Sequence, residues 1–142
     1  IVEFGIGDGC FTEEILKRLA PDGKLICFEI DTEFCKSAIE KFQDKRFIMI
    51  EGGAETLTKV LKDHSLTEID CVISSLPLAL FDKPLVKSIM TQVKTLLKSD
   101  GMYLQYQYSL ANFKDMKKYF SSVKRKIEML NIPPAVVYTC RH

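Results

Sequence analysis

Residues 1–9 read Ile1-Val2-Glu3-Phe4-Gly5-Ile6-Gly7-Asp8-Gly9, and this segment decides the fold. A short apolar run ends in three glycines at alternate positions, and residues 11–20 then carry apolar side chains at helical spacing. Glycine lets the backbone turn sharply and bring its amides close to a ligand at the positive end of the following helix. The segment predicts a strand, a glycine loop and a helix, with an anionic group bound at the loop.

The spacing of these glycines excludes two other nucleotide-binding loops. Dinucleotide enzymes carry GxGxxG, but Cys10 stands where the third glycine of that pattern would fall. No Gly-Lys-Ser/Thr follows, so a nucleoside triphosphate loop is excluded as well. A GxGxG segment alone is also compatible with a structural tight turn. Glu29 favours ligand binding, because it ends the next predicted strand ~20 residues after the loop, where a carboxylate can accept both ribose hydroxyls of an adenosine.

Strands and helices alternate along the whole chain. The predicted strands are residues 1–4, 25–31, 46–50, 69–74, 102–108, 126–129 and 136–140. The predicted helices are residues 11–20, 32–43, 55–63, 83–97 and 112–120, with Ser99-Asp100-Gly101 as a turn that stops the fourth. This pattern predicts an α/β fold: a Rossmann-like, doubly wound, mostly parallel sheet of seven strands. The last two strands lack a helix between them, so an antiparallel C-terminal strand is expected.

Length and composition indicate one folded domain over residues 1–142. Hydrophobic residues make up 46% and charged residues 27%, which excludes a disordered segment. No apolar run approaches the ~20 residues of a membrane-spanning helix, and no export signal opens the chain. The five cysteines lack metal-ligand spacing, so we expect no metal site and a reducing, cytoplasmic location. Because the chain begins inside a predicted core strand without Met, we expect an upstream segment to precede it.

Charge is unevenly distributed along the chain. From Ala111 onward seven Lys or Arg face two acidic residues, whereas the first 110 residues carry 13 basic against 17 acidic ones. The basic end fits either a solvated helix face or contact with an acidic partner or an anionic lipid surface. The overall charge of +1 gives no reason to expect an extended nucleic-acid interface.

The chain resembles the class I S-adenosylmethionine-dependent methyltransferases. Residues 2–9 look like their first motif, and Phe28-Glu29-Ile30-Asp31 looks like their second. The resemblance implies that the loop amides hold the methionine end of S-adenosylmethionine, Glu29 the ribose and Ile30 one face of the adenine. The residues expected to form the cofactor site are Glu3, Gly5, Ile6, Gly7, Gly9, Thr12, Glu29, Ile30, Gly53, Ala54 and Ser74.

One position departs from the pattern of these relatives. Many of them place an Asp after the third strand to accept a hydrogen bond from the adenine amino group, and Gly53 stands at that position here. Glu51, Glu55 or a backbone carbonyl would have to replace that Asp.

The acceptor site is expected after the fourth strand. Enzymes that methylate the amino groups of nucleic-acid bases usually have Asn or Asp before Pro-Pro-aromatic or Leu-Pro-aromatic. This chain has Ser74-Ser75-Leu76-Pro77-Leu78 instead. That segment, Gln105-Tyr106-Gln107-Tyr108 and Asn131-Ile132-Pro133-Pro134-Ala135-Val136-Val137-Tyr138 resemble bacterial phospholipid N-methyltransferases.

This second resemblance implies an amine acceptor such as the headgroup of phosphatidylethanolamine. The residues expected to act on it are Ser74, Ser75, Leu76, Pro77 and Tyr108. Tyr108, together with Phe81 or Tyr106, can face the methylated ammonium by cation–π attraction. A lipid acceptor also predicts peripheral contact with the inner face of the membrane through the upstream segment.

Two alternatives to a lipid acceptor stay open. The first is a methyltransferase for another small amine or for an RNA adenine, since the rRNA adenine dimethylase-like relatives have a similar glycine loop and Glu-Ile-Asp segment. The second is a module that binds S-adenosylmethionine without transferring its methyl group.

Overall fold

A computed structural model describes residues 1–108, 113–129 and 134–142. These residues form one seven-stranded sheet in the order β3-β2-β1-β4-β5-β7-β6. The strands are β1 (Val2–Phe4), β2 (Leu25–Glu29), β3 (Phe47–Glu51), β4 (Ile69–Ser74), β5 (Leu97–Gln107), β6 (Ser122–Glu128) and β7 (Ala135–Arg141). β1 to β5 pair in parallel, and β7 runs antiparallel to both of its neighbours, β5 and β6. The predicted Rossmann-like architecture is confirmed.

The helices are α1 (Cys10–Arg18), α2 (Thr32–Lys41), α3 (Leu57–Asp63), α4 (Lys83–Leu96) and α5 (Phe113–Met116). Single turns of 3-10 helix at Ala54–Thr56 and Leu78–Leu80 precede α3 and α4. Asp31 caps α2 by accepting from the amides of Glu33 and Phe34, and Asp82 caps α4 by accepting from the amide of Leu85. None of the helices in the described ranges has the length and apolar character needed to cross a bilayer.

The core lies in two layers, one on each face of the sheet. Alternate residues of β2 show the division: Ile26 and Phe28 pack with α3 and α4, whereas Leu25 and Cys27 pack with α1 and α2. Because both faces are covered there, β1 is buried at every residue and β2 from Leu25 to Phe28. The carboxyl ends of β1 to β5 therefore meet at a single edge of the sheet, where the connecting loops are open to solvent.

Three predicted boundaries were wrong by four residues or more. Ser99-Asp100-Gly101 lies inside β5 and is no turn: Ile69 pairs with Leu97 and Cys71 with Met102, so the extra residues form an irregularity on the β5 side. β6 begins at Ser122, four residues before the predicted start, because Lys124, Arg125 and Lys126 lie exposed on an edge strand where apolar alternation is not required. α5 ends at Met116 and gives way to a turn, whereas the prediction extended it to residue 120.

Candidate active site

The candidate site lies at the carboxyl edge of the sheet, where β1 adjoins β4. Chain order reverses there, since β2 and β3 lie on one side of β1 and β4 and β5 on the other. Open α/β sheets bind ligands in the crevice at such a point. A cavity of about 240 Å³ opens at this edge. Its walls are Phe4, Gly5, Phe28, Glu29, Ile30, Gly52, Gly53, Ala54, Glu55, Leu76, Phe81, Leu85 and Ile89.

The glycine loop joins β1 to α1 in a conformation that favours glycine. Gly5, Gly7 and Gly9 have φ angles of 78°, 51° and 79°. A Cβ at Gly5 would lie 2.8 Å from the Ser75 hydroxyl, and one at Gly9 would lie 2.6 Å from the Phe42 ring. A Cβ at Gly7 would meet no atom within 4 Å. Gly5 and Gly9 are thus required by packing, whereas Gly7 leaves open space at the edge of the sheet.

Glu29, at the end of β2, connects the glycine loop to the start of the next turn. Its Oε2 accepts from the Gly7 amide at 3.2 Å, and its Oε1 accepts from the amides of Ile30 and Asp31 at 2.8 and 3.1 Å. A carboxylate offers about four acceptor positions, so these three bonds leave one position on Oε2. Ile30 follows with 76% of its surface exposed at the cavity wall, an arrangement that presents an apolar surface to a ligand.

Glu3 of β1 and Thr12 of α1 join the two elements that the glycine loop connects, and neither residue lines the cavity. Glu3 is 1% exposed, and its Oε2 accepts from the Thr12 hydroxyl at 2.7 Å and from the Cys27 thiol at 3.2 Å. Burial raises the pKa of the Glu3 carboxyl, and the two hydrogen bonds oppose that shift. The other oxygen, Oε1, is buried with no hydrogen-bond partner among the described residues. A buried carboxylate with an unused oxygen between β1 and the start of α1 is a position where a cationic or hydrogen-bond-donating group would be stabilised.

The turn after β3 distinguishes between the two glutamates considered for adenine recognition. A Cβ at Gly53 would coincide with the carboxylate of Glu55, which folds back over the glycine and lines the cavity. Glu51 points elsewhere, because its Oε1 accepts from the Thr32 hydroxyl at 2.6 Å near the start of α2. Glu55 therefore occupies the space that a side chain at residue 53 would fill.

The segment after β4 is tied to its surroundings by its polar groups. The Ser75 hydroxyl donates to the Gly5 carbonyl at 2.7 Å, and the Leu76 carbonyl accepts from Gln105 Nε2 at 2.9 Å. Ser74 is fully buried, and its hydroxyl accepts from the Leu76 amide at 3.3 Å. Pro77 is exposed. The Ser75 hydroxyl thus connects this segment to the glycine loop, and the Leu76 carbonyl connects it to β5. Of the residues from Ser74 to Leu78, Leu76 is the one that lines the cavity.

Three aromatic rings meet at the carboxyl end of β5. Phe11 of α1 packs edge-on against Tyr106 with ring centres 5.3 Å apart, and Tyr106 packs likewise against Tyr108 at 5.5 Å. The Tyr106 hydroxyl donates to the Tyr108 hydroxyl at 3.1 Å, and Tyr108 is 60% exposed. None of the three rings lines the 240 Å³ cavity. β5 lies beyond β4, whereas β2, which ends at Glu29, lies on the other side of β1, so the aromatic group and Glu29 are on opposite sides of the point where chain order reverses.

The structure brings only part of the expected site into one cavity. Its walls include the expected Gly5, Glu29, Ile30, Gly53, Ala54 and Leu76. Ile6, Gly9, Glu3, Thr12 and Ser74 are buried beside it and support the loops. The closing segment that begins at Asn131 lies outside the described residues as far as residue 133, so its role stays a prediction. The apolar walls formed by Phe4, Phe28, Leu85 and Ile89 were missed, because in the sequence they look like ordinary core residues.

Fold and site together define a nucleoside-binding Rossmann-like domain with a glycine loop after β1 and an acidic residue at the end of β2. Residues 1–101 match the family described as methyltransferase domain. The chain belongs to this family, and it is an S-adenosylmethionine-dependent methyltransferase, as its first two motifs predicted.

Two relatives and one solved structure show how far the similarity extends. The ornithine lipid N-methyltransferase of Singulisphaera acidiphila is 32% identical over 143 residues, which cover 99% of this chain and 74% of that protein. The ribosomal RNA small subunit methyltransferase H of Christiangramia forsetii is 38% identical over 73 residues, which cover 51% of this chain and 23% of that protein. A Streptococcus mutans protein solved in complex with SAH shares the fold at 17% identity and a TM-score of 0.71, covering 99% of this chain and 88% of that one.

Proposed function

We propose that this methyltransferase transfers the methyl group of S-adenosylmethionine to the amino nitrogen of a lipid headgroup, such as that of phosphatidylethanolamine. The observation that carries the proposal is the similarity, over 99% of the chain, to a protein named as a lipid N-methyltransferase. The segment after β4 supports it, since Ser74-Ser75-Leu76-Pro77-Leu78 offers neither the amide nor the aromatic ring with which base-methylating enzymes hold a flipped base.

We propose that S-adenosylmethionine binds across the glycine loop and the cavity beside it. Open space at Gly7 leaves room for the methionine end beside the loop amides, and the Glu3 carboxyl, with its Oε1 unused, lies buried in the strand that leads into that loop. We propose that Glu29 accepts the ribose hydroxyls. One acceptor position is left on Oε2. The hydrogen bond from the Gly7 amide is the longest of the three that Glu29 accepts, and its release supplies a second acceptor position and frees that amide for the ligand. Ile30 then packs against one face of the adenine.

We propose that Glu55 accepts the hydrogen bond of the adenine amino group, because its carboxylate takes the place of a side chain at Gly53. Glu55→Ala is expected to weaken adenosine binding by about tenfold and to remove the preference for adenosine over purine riboside, which lacks the amino group. Calorimetric titration with both nucleosides measures this preference. Glu51→Ala is the matched control, since that carboxylate bonds Thr32. A preference that persists in Glu55→Ala would exclude this role.

The proposed reaction needs alignment more than acid–base catalysis. The bound sulfonium supplies an activated methyl group: the amine nitrogen forms a bond to this carbon as the carbon–sulfur bond breaks, leaving S-adenosylhomocysteine, and the excess proton leaves to water. The chain's own contribution is to hold the amine in line and exclude water, through Leu76 and Pro77 on one side and the aromatic group at the end of β5 on the other. We propose that the ring of Tyr108, which is exposed, faces the methylated ammonium.

A lipid acceptor also determines where in the cell the enzyme acts. We propose that it acts at the cytoplasmic face of a membrane through peripheral contact. The carboxyl edge of the sheet supports this orientation, because the crevice opens there and Leu80, 83% exposed, and Met129, 72% exposed, lie at the same edge. Apolar side chains at the mouth of a site are suited to the interfacial region of a bilayer.

The test is a comparison of acceptors with a labelled methyl donor. The full protein is incubated with mixed micelles of detergent and phosphatidylethanolamine, with small soluble amines and with ribosomal RNA. We expect label in the lipid fraction, and no transfer to the N,N,N-trimethylated lipid, because its quaternary nitrogen has no lone pair to accept a methyl group. Label confined to RNA or to soluble amines would replace the lipid acceptor by one of those classes.

A further inference from the structure

We propose that a groove beside the active site binds the anionic group and the adjoining acyl chain of the lipid acceptor. The inference rests on the proposed function and names a second binding surface for the same substrate. The groove has a volume of about 420 Å³ and lies between the segment after β4, the first turns of α4 and the turn that follows α5. None of these residues belongs to the glycine loop or to the cofactor motifs.

The groove is continuous with the active site through one side chain. Phe81 lines both the groove and the 240 Å³ cavity, so the two spaces meet at this residue. Leu78 and Ala79, which line the groove, directly follow Pro77 in the chain. A substrate whose amine reaches Leu76 and Pro77 therefore has the groove as the nearest surface for the remainder of the molecule.

The charge of the groove is positive. Lys83 and Lys87 line it from successive turns of α4, and neither forms an ion pair with a described residue. Lys118 also lines the groove, but its Nζ forms an ion pair with Asp115 Oδ1 at 2.5 Å, and this carboxylate neutralises its charge. Two lysine charges are thus available to an anionic group, with a third cation nearby.

The remaining lining is apolar. Val86 and Tyr119 are partly buried against the core and present their outer surfaces to the groove, and Leu78 is buried below them. A surface that combines two unpaired lysines with an apolar floor is complementary to an amphiphile with an anionic group next to a hydrocarbon chain. A membrane lipid that carries its amine close to an anionic group satisfies both requirements at once, whereas a free anion would use only the lysines.

The test compares two double variants that remove the same charge. Lys83→Gln/Lys87→Gln changes the groove, and Lys62→Gln/Lys94→Gln changes exposed lysines outside it. With phosphatidylethanolamine in mixed micelles, the groove variant is expected to raise KM for the lipid by about tenfold, with kcat and the affinity for S-adenosylmethionine unchanged. The control variant is expected to behave as the wild type. Equal KM values for the two variants would overturn the proposal.

A binding measurement separates this inference from the proposed function. Dodecyl phosphate below its micellar concentration is titrated against the wild type and both variants, with inorganic phosphate and dodecanol as the two partial probes. Tighter binding of dodecyl phosphate than of either partial probe, lost only in the groove variant, supports the groove even if no lipid is methylated. Binding that is equal in all three proteins, or matched by inorganic phosphate, overturns it. Loss of RNA methylation in the groove variant would identify a nucleic-acid surface instead.

Discussion

Replacing Glu29 by alanine is expected to weaken the binding of S-adenosylmethionine by about tenfold to a hundredfold. A hydrogen bond to a charged group contributes about 1.5–3 kcal/mol, and the proposed site uses this carboxylate for both ribose hydroxyls. Glu29 also accepts from the amides of Gly7, Ile30 and Asp31, so the variant loses part of the loop's support as well. Calorimetric titration with S-adenosylhomocysteine measures the change in affinity, and thermal unfolding reports whether the domain stays folded.

A second ligand distinguishes a lost ribose contact from a loosened loop. Wild-type protein should bind adenosine more tightly than 2′,3′-dideoxyadenosine, and Glu29→Ala should bind the two equally. Glu51→Ala is a matched control, because Glu51 pairs with Glu29 in the sheet register but its carboxylate bonds the Thr32 hydroxyl and does not line the cavity. If Glu29→Ala retained the preference for the ribose hydroxyls, another group would have to be the acceptor.

The architecture was predictable because local sequence patterns specify it. Apolar runs of strand length alternate with segments of helical periodicity, and this alternation alone specifies a parallel sheet covered on both faces. The roles of the glycine loop and of Glu29 could be predicted as well, since each lies at the end of a strand and the carboxyl ends of parallel strands share one edge. Backbone geometry, set within a few residues, places these groups together.

The parts that could not be predicted depend on contacts between distant segments. The turn-like Ser99-Asp100-Gly101 is accommodated within β5, because pairing with β4 continues on both sides of it. β6 is held by pairing with β7, and its run of three basic residues carries no alternation that would mark a strand. In both cases tertiary pairing decides the conformation over local propensity.

The dependence on contacts between distant segments also explains why the sequence did not predict the contacts of two site residues. Ser75 looks in the sequence like a group that could orient a substrate, but its hydroxyl finds the Gly5 carbonyl 70 residues away. Glu55 could not be separated from Glu51 by spacing, and only the folding of its carboxylate over Gly53 distinguishes the two. Sequence identifies the donors and acceptors near a strand end, whereas their partners are fixed by the packing of neighbouring loops.

The substitution Gly7→Asn is expected to abolish binding of S-adenosylmethionine and to leave the domain folded. Asn is tolerated at positive φ better than most residues, so the φ of 51° at Gly7 costs about 1–2 kcal/mol at most. Apart from its chain neighbours, no protein atom lies within 4 Å of the new Cβ, so the Asn side chain begins in open space, which we propose is the space of the methionine end of the cofactor. We expect affinity to fall at least about a hundredfold, because the ligand cannot share that volume. Calorimetric titration with S-adenosylhomocysteine measures it.

The matched variant is Gly9→Asn, which is expected to affect mainly the stability of the fold, whereas Gly7→Asn affects mainly cofactor binding. The φ of 79° is again positive, but the new Cβ would lie 2.6 Å from the ring of Phe42, which packs between α2 and β3. Overpacking of this kind costs about 1–3 kcal/mol in addition to the backbone strain, so Gly9→Asn should lower the unfolding temperature more than Gly7→Asn does. Two glycines two residues apart in one loop would then be assigned different roles, one to the fold and one to the ligand. Normal cofactor affinity in Gly7→Asn, with the protein folded, would mean that the methionine end lies elsewhere and that the open space at Gly7 is no part of the site.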